Sequence, residues 1–366
     1  MERARIIDFF EPIKDNRRIY GNRQHELLDI VAISITAVIS GAETWEEVEM
    51  YGNAKERWLS TFLSLPNGIP SHDTFNRVIG MIDPDQFEAC FRSWVSSIIK
   101  KTGEIISIDG KTIRGAKVNG KSPIHMVSAW SSENVVLGQV KVNEKSNEIT
   151  AIPELLEALA IEGAVVTIDA MGCQKDIAEK IIHNGADYVF GLKGNQSGLL
   201  QEVEDEFLFS NGEAVFEDLD FGHGRIETRK CSVINIKGFN HVESHKEWRS
   251  MTSIIKIESE RDFKNKELVE NATRYYISSA DKTPKEFLHI IRSHWGVENK
   301  LHWMLDVAFS EDYNRKRAGY ASQNFSLINK IALSLLKKDK TKKVGVKSKR
   351  KVTAWDEDYL LTILGF

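Results

Sequence analysis

Three acidic residues stand where apolar runs meet glycine-containing turns or an aromatic helix: Asp109 in IISIDGKTIRGA, Asp169 in AVVTIDAMGCQK and Glu298 in IIRSHWGVENKLHW. Carboxylates at the ends of buried strands repel one another and resist ionising, so three together make sense chiefly around a divalent cation. Two such cations about 3.5–4 Å apart activate a water or a 3′-hydroxyl and stabilise the leaving oxygen during in-line attack on phosphorus. The implied chemistry is phosphodiester cleavage and strand transfer, with all-oxygen ligands favouring magnesium or manganese.

Glu298 has Ile291, His294, Trp295, Leu301, His302 and Leu305 as neighbours at helical spacing. That spacing predicts a largely apolar face, where a buried carboxylate needs a metal ion or a salt bridge to Arg292 or Lys193. His294, Glu298 and His302 also form an i, i+4, i+8 ladder, which leaves a transition-metal site open as an alternative. Trp295 and Trp303 could stack an unpaired base, although aromatic residues at this spacing usually pack into a core.

The elements that must position these residues are legible as changes of hydrophobic period. Residues 1 to about 100 read as helices separated by Pro and Gly, a small all-helical domain. Within it, the turn PNGIP and a helix capped by Ser71 weakly resemble a helix-turn-helix that would present His72, Asp73, Asn76 and Arg77 to DNA, although plain helix packing is the commoner explanation of such a pair. From Glu104 the runs EIISID, IHMVSAW and VVLGQVKV predict three antiparallel strands. ITAIPELLEALA, AVVTIDA, CQKDIAEKIIHNG, ADYVFGLKG and QSGLLQEVEDEFLF then alternate helix and strand. Three strands followed by αβαβα is the order of a ribonuclease-H-like α/β core, in which the strands ending at Asp109 and Asp169 lie side by side. A β-rich insertion, about 212–280, precedes the last helices. The expected division is a helical domain at 1–100, a catalytic domain at 101–336 and a basic tail with a short final segment at 337–366.

Composition is that of an ordinary globular protein: 366 residues, 42% hydrophobic, enough for a sizeable core. Cys90, Cys173 and Cys231 are scattered and form no C-x-x-C pair, which predicts reduced thiols and no cysteine-bound zinc. The N-terminus does not read as a signal peptide, and the longest apolar stretch, Leu27 to Ile39, falls short of the roughly 20 residues that span a bilayer. A cytoplasmic protein is expected. The net charge of −4 gives no hint of a nucleic-acid partner, but KKDKTKKVGVKSKRK at 337–351 carries nine Lys or Arg against one Asp. That run could hold phosphates or be a solvated, flexible linker. Lys193 and Asn195, after a core strand where a plain polar turn explains them equally well, and Arg225 and Arg229, in the insertion, are further candidates for DNA contact.

The stretches IDGKTIRGA, TIDAMGCQKDIAEKIIHNGADYVFGLKGNQ, DFGHGRIETR and RSHWGVENKLHWMLDVAFSED resemble the H-repeat-associated insertion-sequence transposases of bacteria, a branch of the DDE transposases. The resemblance extends over nearly the whole chain, from SHDTFNRV to KRKVTAWDEDYL. It implies a catalytic triad of Asp109, Asp169 and Glu298 holding two magnesium or manganese ions, with double-stranded DNA as partner and a homodimer assembled on it. The wider cut-and-paste group carries Tyr-x2-Arg-x3-Glu-x6-Lys around its last carboxylate; here Ile291, His294 and Leu305 occupy the Tyr, Arg and Lys positions. Phosphate handling would then fall to Arg292, His294 and Lys300, a hairpin intermediate is not implied, and Asp306 or Glu311 remain alternative third ligands. A catalytically silent DNA-binding remnant, or a nuclease without strand transfer, would share most of these features.

Overall fold

The computed structural model describes residues 5–18, 23–99, 104–116, 123–143, 147–209, 214–222, 225–236, 242–263 and 269–366. His223 and Gly224 of the DFGHGRIETR stretch lie outside them. The chain forms two compact units, one of Met1–Ile99, Gly110–Lys145 and Glu298–Phe366, the other of Lys100–Asp109 and Ser146–Val297.

The first unit begins with helices α1 (Leu27–Ile39), α2 (Trp45–Leu59), α3 (His72–Ile79) and α4 (Pro84–Ile98). Local signals fix their ends: a reciprocal capping box between Thr44 and Glu47 opens α2, Ser71 caps α3, and Asp83 caps α4 ahead of Pro84. Helix α1 is buried along nearly its whole length; its one carboxylate, Asp29, accepts from the Ser64 and Leu65 amides at 3.2 and 2.8 Å. The strand β1 (Ile105–Thr112) passes from the second unit into the first. In the first unit its end meets β2 (His125–Ser131), where Ile113 N–H donates to the Ile124 carbonyl at 2.9 Å, and β2 pairs antiparallel with β3 (Val136–Lys141).

The second unit carries α5 (Glu148–Ala158), β4 (Val165–Ile168), α6 (Lys175–His183), β5 (Asp187–Leu192) and α7 (Ser197–Phe209), the alternation read from the sequence. The β-rich segment supplies β6 (Ala214–Gly222), β7 (Arg225–Asn235), β8 (Ser253–Phe263) and β9 (Val269–Ser278), and α8 (Pro284–Gly296) follows. The strand β6 lies in the acidic stretch, inside the β-rich segment expected at about 212–280. Strand order in this unit is β1-β4-β5-β9-β8-β7-β6: parallel from β1 to β5, antiparallel beyond. The four residues of β4 are all buried, as expected for a parallel strand covered on both faces. Helix α8 lies on one face, with Phe287, Leu288, Ile290 and Ile291 packed against Ile105, Val165, Val189 and Ile255.

The first unit is completed by α9 (Trp303–Phe309), α10 (Ala321–Lys338), α11 (Val346–Trp355) and α12 (Glu357–Leu364). The basic run is therefore no loose linker. Lys349 and Arg350 are about 5% and 4% exposed; the Lys349 amine reaches the Leu336 carbonyl at 2.9 Å and the Asp339 carboxylate at 3.0 Å. Arg350 donates to the carbonyls of Val38, Ala42 and Ala308. Burial of these two cations follows from carbonyls at helix ends that need donors, a requirement composition does not reveal. All three cysteines are free and buried, and among the described residues no helix is long and apolar enough to cross a membrane.

Candidate active site

Parallel pairing sets Ile108 opposite Ile168, so Asp109 and Asp169 are the next residues along neighbouring strands, whose separation is about 4.8 Å. Burial changes at the same point: Ile105–Ile108 are buried, and Asp109 is the first half-exposed residue of β1. The two carboxylates thus stand at the rim of the sheet in the second unit, as the strand order predicted.

The turn after β4 holds Asp169 by its own backbone. Its Oδ1 accepts from the Met171 and Gly172 amides at 3.0 and 3.4 Å, capping the short 3-10 turn Ala170–Gly172. Glycine is required at 172, since a Cβ there would sit 2.3 Å from the Ile168 side chain. The loop after β5 clamps the same turn: the Asn195 amide donates to the Ala170 carbonyl at 2.7 Å and the Gln196 amide to the Cys173 carbonyl at 3.0 Å. Asn195, a candidate for phosphate contact, thus has its amide directed at the Asp169 turn, while Lys193 beside it is exposed.

Because side chains alternate along a strand, the residues two before each aspartate share its face. These are Ser107 and Thr167, both polar and almost fully buried. Thr167 Oγ1 lies 3.1 Å from Ser107 Oγ and 3.0 Å from His294 Nδ1, and Ser107 Oγ reaches the Ser293 carbonyl at 3.5 Å. The last turn of α8 is thereby pinned to β1 and β4 one step below the aspartates. The only sequence signal for this bridge is the shared pattern S-x-D and T-x-D.

Chain continuity places Glu298 four residues beyond His294, in a π-helical turn, Val297–His302, that joins α8 to α9. Such turns recur at functional sites. Glu298 is exposed, not buried on an apolar face: the wider π winding changes the angular step on which that expectation rested. The same winding breaks the spacing of the His294–Glu298–His302 ladder. Trp295 and Trp303 are 40% and 56% exposed rather than core residues, with the Arg274 guanidinium over the Trp295 ring.

Arg292, Arg225 and Arg229 meet carboxylates of the β-rich segment. Arg292 bonds Asp218 at 2.8 Å and Asp220 at 2.9 Å; Arg229 bonds Glu227 at 2.6 Å, and Arg225 lies 3.3 Å from Glu227. The three bonds that Glu227 makes through Arg225, Arg229 and Arg261 outweigh its partial burial and hold its carboxyl below the ordinary range. In the first unit Lys300 is exposed, and burial together with Lys300, Lys340 and Lys349 pushes the Lys337 amine down to about 8. The alternative ligand Asp306 is bound by Lys111 at 2.7 Å, and Glu311 is fully buried, accepting from Ser326 at 2.9 Å.

Asp109 and Asp169 offer hard oxygen donors side by side, which suits magnesium or manganese better than a softer metal. Among the described residues no three His, Cys, Asp or Glu side chains are already gathered as a metal site.

The profile of the family described as "Transposase DDE domain" matches residues 100–335, and that of its companion, described as "DDE_Tnp_1-associated", matches residues 7–95. The "H repeat-associated putative transposase YhhI" of Escherichia coli K12 is 41% identical over 374 aligned residues, covering 100% of this chain and 98% of its own. The "Putative transposase YncI" of Escherichia coli O157:H7 is 45% identical over 98% of this chain and 94% of its own. A much shorter relative, the "Inactive transposase YbfQ" of strain K12, is 38% identical over 22% of this chain. The two paired aspartates thus sit in a chain that belongs to the H-repeat-associated branch of the DDE transposase family.

Proposed function

We propose that this protein cuts double-stranded DNA at the ends of its own insertion element and joins the 3′ ends to a target, using a ribonuclease-H-like core. Asp109, Asp169 and Glu298 are the metal-holding carboxylates, and a homodimer assembled on DNA in the cytoplasm, at the nucleoid, is the working form. The observation that carries the reading is the adjacency of Asp109 and Asp169 on parallel strands, with α8 pinned to the same face by the Ser107–Thr167–His294 bridge.

Two magnesium or manganese ions on these carboxylates would supply charge neutralisation at the phosphate and an activated oxygen nucleophile. The protein's own residues set the geometry. The 170–172 turn orients Asp169, Asn195 and Gln196 fix that turn, and His294 anchors the helix that leads to Glu298. Glu298, exposed in the π turn that follows this helix, is the third carboxylate of the proposal.

The test is cleavage and joining of a duplex carrying the element's terminal sequence. Asp109→Asn, Asp169→Asn and Glu298→Gln each remove charge but little volume, so each should abolish cleavage while duplex binding persists. Full cleavage by Glu298→Gln moves the third role to Asp306 or Glu311. Cleavage without joining by the native chain makes it a nuclease, and binding without cleavage makes it a silent remnant.

A further inference from the structure

Two charged residues of the transposase-like blocks take no part in the chemistry proposed above: Lys111 in IDGKTIRGA and Asp306 in HWMLDVAFSED, both in the first unit. The Lys111 amine donates to both oxygens of Asp306, each at 2.7 Å, and lies 3.5 Å from Asp312. Its side chain is 11% exposed, against 35% for Asp306, so this is no loose surface pair. A second contact locks the same two stretches. The 3-10 turn Arg114–Ala116, just past β1, lies against the 3-10 turn Glu311–Tyr313, just past α9: the Arg114 amide donates to Asp312 at 3.3 Å, and a Cβ at Gly115 would fall 2.6 Å from the carbonyl oxygens of Asp312 and Asn314. Backbones packed so closely leave little play between the end of β1 and the end of α9.

What these contacts join follows from the chain on either side. Lys111 comes two positions after Asp109 on β1 and so shares its face, and Asp306 lies on α9, eight positions after Glu298. On the other side of the two carboxylates, Ser107 comes two positions before Asp109, again on that face, and its Oγ reaches the carbonyl of Ser293, five positions before Glu298. Each fastening lies within one unit. Asp109 therefore stands between two points at which its strand is fastened to the helical chain, and Glu298 stands between the same two points on that chain. The π turn Val297–His302 is where the winding departs from the helix, so a hold through α8 alone leaves the direction of Glu298 to the turn itself. Lys111 supplies the hold at the other end.

We propose that Lys111 is a positioning residue for metal binding: by gripping Asp306 it holds the α9 end of the π turn to β1, and so keeps Glu298 within reach of the ions that Asp109 and Asp169 hold. The proposal rests on the DNA-processing reading above. It also gives Asp306 a role other than that of third ligand, since both of its oxygens are taken by the lysine.

The experiment titrates full-length protein with manganese in the presence of a duplex carrying the element's terminal sequence, free manganese being read by electron paramagnetic resonance and the duplex alone subtracted. Lys111→Met and Asp306→Asn should each weaken manganese binding about tenfold, the usual cost of removing a partner that orients a metal-holding group. The double variant should lose no more than either alone, because both break one contact. Lys111→Arg, which keeps the charge, should stay near the native affinity. Asp306→Asn keeps the volume and leaves the lysine Asp312 as a counter-ion, so it carries the test if Lys111→Met fails to fold. If Asp306 were a metal ligand, freeing it with Lys111→Met would tighten binding while Asp306→Asn weakened it, and those opposite signs overturn the proposal. Affinity unmoved in both variants, whatever their melting temperatures, makes the tie purely structural and overturns it too. Asp109→Asn separates the two levels. Where it abolishes binding and the tie variants do not move it, the positioning role alone fails; where it binds manganese like the native chain, or the native chain binds none, the triad fails and the positioning role with it.

Discussion

At the scale of single residues, the site depends on neutral side chains placed to hold the charged ones. Asp169 is oriented by two amides of its own turn, and that turn is clamped from outside by Asn195. Removing a partner that orients a metal-holding carboxylate typically costs about 10–100-fold in metal affinity without unfolding the protein. Asn195→Ala should therefore raise the magnesium concentration for half-maximal cleavage about tenfold at an unchanged melting temperature. A direct phosphate role instead predicts weaker DNA binding with the magnesium requirement unmoved. Sequence reasoning singled out Asn195 without choosing between these roles, because a polar residue after a strand looks the same whether its amide meets a phosphate or a carbonyl.

At the scale of elements, β6 ties the acidic stretch to the last helix of the second unit. Its acidic residues are not all left to solvent: Asp218 and Asp220 form two ion pairs with Arg292 of α8. These carboxylates occupy the guanidinium much as phosphates would. Asp218→Asn combined with Asp220→Asn should free Arg292, tighten DNA binding at low salt and steepen the slope of log K against log salt by about 0.9 for one new phosphate contact. An unchanged slope would assign Arg292 to holding β6 against α8. The π turn Val297–His302 belongs to this scale too: helical periodicity located Glu298 in the chain but misjudged its exposure, since a change of winding leaves no mark in the apolar pattern.

For the molecule as a whole, cationic side chains divide into those that build the first unit and those left facing outward. Arg350→Met leaves the carbonyls of Val38, Ala42 and Ala308 without their donor and should destabilise the protein by about 3–5 kcal/mol, measured by denaturant unfolding. Lys342→Glu, Lys343→Glu and Lys347→Glu, at exposed positions, should leave unfolding unchanged and weaken DNA binding with a shallower salt slope. Equal effects on both measurements would show that the exposed lysines are structural as well. The buried charges also make a pH prediction. Burial pushes Glu88 up to about 7, although the Gln139 amide donates to it at 2.9 Å. The folded state therefore binds this proton more tightly than the unfolded chain, and the group's contribution is present below about pH 4.5 and lost as pH rises towards 7. The stability of the native chain relative to Glu88→Gln should fall across that window, and a flat difference would refute it.

What the sequence determined by itself is the part governed by local period and by long matching blocks. The alternation of strands and helices from β1 to α7, the capped ends of α2, α3 and α4, the family, and Asp109 and Asp169 at adjacent strand ends were all legible there. Tertiary structure alone decided which polar groups meet across the chain. Ser107 and Thr167 could be recognised as partners of His294 only once β1 and β4 lay side by side under α8. Arg350 could be separated from its basic neighbours only once carbonyls more than 300 positions earlier in the chain were brought to it. Periodicity reports which face of an element avoids water; it carries no record of the distant donor or acceptor that a buried polar group must find.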